Sequence, residues 1–243
     1  MKKFSTIFFV IILLSSICTI NLAQSKAKVD ETVKIVTNLM KKCINHNWML
    51  YDIRLNEKPF MNYNVIFNEK ASGKIDPSVL GKRDQYFKGE FGLDPRAELS
   101  KKLIDPLDNE FIRMSSEKPE PRDSMDAITK KEREIGVYYV YTYVNKKNIE
   151  GKQFTGVKIP GAAMVTMINN SFRDSCTWNS YFIAFGNWKD AAQNSKGYTY
   201  KFKHHSGSHY IDNVVVVLTG VQSRIEELLK NINWNELNKL ISH

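Results

Sequence analysis

The chain has 243 residues, 42% hydrophobic, 12% aromatic and 25% charged, with 35 Lys and Arg against 26 Asp and Glu for a formal charge of +9. Those fractions exclude a wholly disordered chain, a collagen-like repeat, a multi-span membrane protein and a cysteine-stapled miniprotein, and they suffice for one or two domains with a real core. Lys and Arg are scattered singly and in pairs, which reads as a solvated basic surface, so no nucleic-acid partner is expected.

Lys2 and Lys3 precede an unbroken apolar run over residues 7–14 (IFFVIILL), followed by Ser15 and Ser16. Crossing a bilayer core takes roughly 20 apolar residues, so this short run matches a secretory leader better than a permanent span. The expected leader is residues 1–23, cleaved after Ala23, leaving a secreted or periplasmic chain of charge +7 once Lys2 and Lys3 are gone. Two alternatives keep a membrane tie. One is lipidation at Cys18, which the bulky Ile17 before it disfavours; the other is an uncleaved anchor over residues 7–22.

Asp30 is placed to cap a helix whose Val33, Val36, Met40 and Cys43 recur at three- and four-residue spacing and which stops near Asn45. Strand-like runs over residues 48–55 and 60–67 flank the turn-prone Asn56-Glu57-Lys58-Pro59 and predict a hairpin. Asp94-Pro95 signals a helix start, and Pro106 ends or kinks that helix. Residues 115–124 (SSEKPEPRDS) contain Pro119 and Pro121 and predict an exposed loop within a single domain spanning residues 24–243.

Residues 135–144 (IGVYYVYTYV) predict a strand, and further strands are expected over 154–159, 162–168, 181–185, 198–204 and 214–218. Short turns at Pro160-Gly161 and Ser206-Gly207 favour antiparallel neighbours. The run from Val214 to Leu218 has no polar face and predicts a central strand covered on both sides. Ser223 with Glu226 forms a capping-box pattern ahead of Ile225, Leu228, Leu229 and Ile232, and Asn233 with Glu236 repeats it before Trp234, Leu237, Leu240 and Ile241. The expected fold class is α+β, a mostly antiparallel sheet covered by an N-terminal helix and C-terminal helices.

Chemical signals are sparser. In an oxidising compartment Cys43 and Cys176 can form one disulfide, worth roughly 4 to 5 kcal/mol for so long a loop; the other reading is two buried thiols. The cluster His204-His205-Ser206-Gly207-Ser208-His209 suggests a metal site. Only His204 and His209 converge there, across a turn, because adjacent residues of a strand point apart. Asp174-Ser175-Cys176-Thr177-Trp178 offers a nucleophile that His204 or His205 could activate, although the aromatic residue does not directly follow the Cys as it does in papain-type enzymes. Asp105 with Asp108 and Asp123 with Asp126 lie near predicted helix starts and kinks, where capping accounts for them. No GxSxG, P-loop or GxGxxG occurs, and no cofactor is expected. Tyr141, Trp178, Tyr181 and Trp188 are candidates to line a ligand pocket, with core packing as their competing use. The reading is an exported protein that acts by binding a small apolar or glycan ligand or an envelope protein. Its alternatives are a cysteine hydrolase using Cys176 and a His-rich metal binder.

Overall fold

The computed structural model describes residues 27–56, 58–61, 84–118, 121–173, 176–202 and 210–241. The expected leader with Cys18, most of the strand expected over residues 60–67, and His204, His205 and His209 lie outside them. The first helix, α1, covers residues 27–42 and is followed by β1 (Trp48–Leu55), β2 (Lys58–Met61) and β3 (Gln85–Leu93). Three helices come next, α2 (Glu98–Leu103), α3 (Asp105–Ser115) and α4 (Arg122–Gly136). The second half holds β4 (Val137–Val144), β5 (Asn148–Glu150), β6 (Lys152–Gln153), β7 (Met164–Arg173), β8 (Cys176–Gly186), β9 (Ala192–Gln193), β10 (Gly197–Thr199) and β11 (Asn213–Gly220). Helix α5 (Gln222–Asn231) and a 3-10 helix (Trp234–Leu240) close the described chain.

Eight strands form one sheet in the order β2-β1-β3-β4-β11-β8-β7-β6, every neighbouring pair antiparallel. A small sheet, β5-β10-β9, stands beside it. The valine run is β11, buried at every position between β4 and β8. Val214, Val216 and Leu218 enter one core cluster, Val215 and Val217 the other, as two-residue alternation requires of a strand covered on both faces. The near face is covered by Val36, Leu39 and Met40 of α1, by Ile225, Leu228 and Leu229 of α5, and by Trp234, Leu237 and Leu240 of the last helix. The fold is therefore α+β, with terminal helices laid on an antiparallel sheet. On the far face, Tyr139, Tyr141, Trp178, Val215 and Val217 pack with Ile149 and Tyr198 of the small sheet and with Trp188 and Tyr200.

Several boundaries differ from the expectations, each for a local reason. Helix α1 is already formed at residue 27, so Asp30 lies within it. Asp94 and Pro95 make a turn before α2: the Asp94 carboxylate accepts bonds from the Arg96 backbone and guanidinium, which hold it down to about 2. Pro106 occupies the first turn of α3, where its missing donor costs nothing, and the break precedes it at Ile104. Helix α4 takes up the end of the expected loop and also Ile135 and Gly136, which had read as strand. The segment expected as a strand over residues 154–159 turns under the sheet instead, where Phe154 meets Tyr181 edge-on at 5.2 Å and Ile159 is buried in the near core. Strand β8 starts at Cys176, five residues before the expected 181–185 run, because Trp178 and Ser180 also face a covered surface. Ser223 is not a cap: α5 begins directly after β11, from an extended Val221, and Glu226 accepts from Gln222. Asn233 does cap the last helix, accepting from the Asn235 backbone N–H at 3.2 Å.

One charge is buried in the near core. Arg224 of α5, 4% exposed, donates to the Cys43 carbonyl at 2.8 Å, to the Tyr138 hydroxyl at 3.1 Å and to Glu227 at 2.7 Å. Its guanidinium lies 4.9 Å from the ring centroids of both Trp48 and Tyr138. The Tyr138 hydroxyl also donates to the Cys43 carbonyl, at 2.6 Å. This knot ties the end of α1 to β1, β4 and α5.

Candidate functional site

Among the described residues, those singled out from sequence do not share a site. Cys176, Trp178, Trp188 and Tyr141 belong to the far core, whereas Tyr181 faces the near core, and none of the five is more than 2% exposed. The Cys176 thiol donates to the Lys130 carbonyl at 3.8 Å, and Trp178 Nε1 donates to the Glu134 carbonyl at 3.0 Å, both under α4. Trp188 Nε1 donates to the Phe185 carbonyl at 3.1 Å, and its ring meets Tyr200 edge-on at 4.8 Å. These aromatic groups are core, so the pocket expected from them is corrected: alternation along β8 sends Trp178 and Tyr181 to opposite faces.

The expected disulfide is also corrected. Cys43 and Cys176 are free, buried thiols in different clusters, with the sheet between them. Burial pushes the Cys43 thiol up to about 12, only partly offset by Arg224. A thiol nucleophile needs access and a populated thiolate, and the burial of Cys176 removes the first. The histidines proposed as its partners or as metal ligands, His204, His205 and His209, lie outside the described residues, and among the described residues no group of three His, Cys, Asp or Glu side chains could hold a metal.

A large concavity lies elsewhere, on the side of the sheet that ends in β6. It is an open groove of about 1130 Å³ between two walls, Met167, Ile168 and Asn169 of β7 on one and the β9–β10 turn with Gln193, Asn194, Lys196 and Tyr198 on the other; Glu150 through Phe154 form its floor. Two features fix this shape. Gly151 sits at φ +89°, the left-handed region that favours glycine, and a β-carbon there would run into the Met167 carbonyl. That kink lets the chain leave β10, which it pairs as β5, and join β7, which it pairs as β6; the Gly151 N–H donates across to the Lys196 carbonyl at 2.9 Å. Opposite, the Asn194 side chain accepts from the N–H groups of Lys196 and Gly197 at 2.8 and 3.0 Å and builds the turn.

The groove is lined by exposed Lys152, Gln153, Asn169, Gln193, Asn194, Ser195 and Lys196. The amides both donate and accept, and the ammonium groups donate only, so the groove suits a ligand rich in hydrogen-bonding groups rather than an apolar one. Its rings are committed inward: Phe154 is packed on Tyr181, and Tyr198 is packed against the far core. Sequence reading missed every one of these residues. Isolated Asn, Gln and Lys in turns carry no motif, and only the pairing of β5 with β10 brings them together.

A smaller cavity, about 360 Å³, opens between β1 and the helices α2, α3 and α4. Asp105 and Asp108 of α3 line it together with Glu132 and Thr129 of α4, and Tyr51 lies at its edge. Burial, and then Asp108, push the Glu132 carboxyl above its usual range. Burial also raises the Tyr51 hydroxyl, with Asp94, Glu90 and Glu132 adding to it. Such repulsion is a cost to the fold that closing α3 on α4 imposes. No family model, no curated protein and no solved structure matches the chain.

Proposed function

We propose that this is an exported binding protein that holds a hydrogen-bonding ligand in the groove between β6–β7 and β9–β10. The observation that carries the reading is the groove itself: about 1130 Å³, open, and lined by amide, hydroxyl and ammonium groups. Pockets that bind ligands are concave and place a few polar groups where they converge. Support for export comes from the basic Lys2 and Lys3 followed by the apolar run over residues 7–14. The polar lining argues against the small apolar ligand and for a glycan or a polypeptide of the envelope. The hydrolase reading is weaker because its nucleophile, Cys176, is sealed under α4.

The test is amide NMR of isotope-labelled protein titrated with two probes, the tetrasaccharide of β-1,4-linked N-acetylglucosamine and a capped peptide of alternating Thr and Glu. Saturable shifts confined to Gln153, Asn169, Gln193, Asn194 and Lys196 with either probe support the reading. Shifts that map elsewhere, or none with either probe, overturn it.

A further inference from the structure

The groove has a wall of unusual kind, and this inference rests on the binding reading above. Strand β7 is ten residues long, yet its outer neighbour β6 is two residues long and pairs only with Thr166 and Met167. The Phe154 N–H extends that contact by one bond, to the Val165 carbonyl at 2.8 Å. Beyond Met167 the chain turns away at Gly151, and among the described residues no further backbone bond is made to the outer side of β7. Among the described residues, the edge left unpaired runs from Ile168 toward Arg173, and its first two residues, Ile168 and Asn169, are part of the groove wall. An uncovered sheet edge presents a row of backbone donors and acceptors that another extended chain can satisfy.

We infer that the ligand is an extended, acidic segment of another protein, added as a further strand along β7 beyond β6. Three observations favour this occupant. At about 1130 Å³ the groove lies slightly above the roughly 300–1,000 Å³ of small-molecule sites, and a strand added there would lie about 4.8 Å from β7. Its aromatic rings, Phe154 and Tyr198, are partly buried against the core, which limits the ring surface on which a sugar could stack. Among the described lining residues, its charges are the ammonium groups of Lys152 and Lys196 against the carboxylate of Glu150. Lysines beside the edge repel a second copy of this basic chain, +7 once the expected leader is gone, and attract an acidic strand. The bulge between Ile168 and Ser171, where β7 slips against β8, lies at the point where Asn169 lines the groove, and bulges commonly re-aim side chains beside sites.

Fluorescence anisotropy with the purified protein tests this. The probe is a fluorescein-labelled peptide of about six alternating Thr and Glu residues, long enough at roughly 3.4 Å per residue to run along the free edge. Saturable binding is expected. It should weaken at least about tenfold when alternate peptide nitrogens are methylated, which removes ladder hydrogen bonds and leaves the side chains. A Thr and Lys version should bind at least about tenfold more weakly, and the K152E/K196E double variant should reverse that preference. Equal binding of the methylated peptide would overturn strand addition. If the tetrasaccharide shifts the groove amides and the peptide does not bind, strand addition fails while the binding reading stands. If neither probe binds, both fail.

Discussion

Replacing Arg224 should reveal how the near core is locked. In the folded protein its guanidinium makes charged hydrogen bonds to the Cys43 carbonyl and the Tyr138 hydroxyl and lies against both the Trp48 and Tyr138 rings. Bonds of that kind contribute about 1.5–3 kcal/mol, and a desolvated cation beside aromatic rings about 2 kcal/mol. Against them stands the cost of removing the charge from water, several kcal/mol. The pair with Glu227 adds less than about 1 kcal/mol, because that carboxylate is 45% exposed. The Cys43 carbonyl keeps the Tyr138 donor when Arg224 is removed, so no acceptor is orphaned. Adding the void left behind, R224A should cost about 3 kcal/mol, or roughly 6–12 °C in Tm for a domain this size. R224M, which keeps the stem, should cost about 1–2 kcal/mol, and E227A less than about 1 kcal/mol. Urea unfolding followed by tryptophan fluorescence and circular dichroism measures all three. If R224M equals or exceeds the wild type, desolvation outweighs the contacts and the knot is not a source of stability.

Two more predictions concern titratable groups. At about pH 8, Cys43 and Cys176 should resist alkylation in the native protein and both react after unfolding without reductant, since one thiol is pushed up to about 12 and both are buried. A failure to react after unfolding would mean that they are bonded and that the sheet does not separate them; rapid native labelling of Cys176 would restore the hydrolase reading. For Glu132, the fold favours the protonated carboxyl, because burial and Asp108 raise its pKa. Its contribution is therefore fully present below the unfolded value, near about 4.3, and is lost as pH rises through the folded value. E132Q should thus be more stable than wild type at neutral pH, by less than about 1 kcal/mol, and the difference should vanish in acid; a constant difference across pH would refute the repulsion.

The local elements were largely legible. Apolar spacing marked Val36, Met40 and Cys43 as the buried stripe of α1, and the all-valine run marked β11 as the covered centre, because hydrophobic patterning reports burial directly. Edges were less legible. Strand β7 is expected only as far as Ile168; its polar Asn-Asn-Ser continuation is strand because β8 supplies its pairing. Helix α4 has no fully buried residue, so no apolar stripe announced its full length; it is pinned by Glu134, whose carboxylate accepts the Thr177 N–H at 2.7 Å.

By itself the sequence determined the antiparallel α+β character and the central strand, since both follow from periodicities that repeat every two or three to four residues along the chain. Which aromatic residues share a face, that Cys43 and Cys176 lie on opposite sides of the sheet, and where a groove opens were decided only in three dimensions. Those properties depend on strand order and on one glycine kink at Gly151. Residues far apart in the chain meet there through backbone pairing, and backbone pairing leaves no trace in side-chain composition.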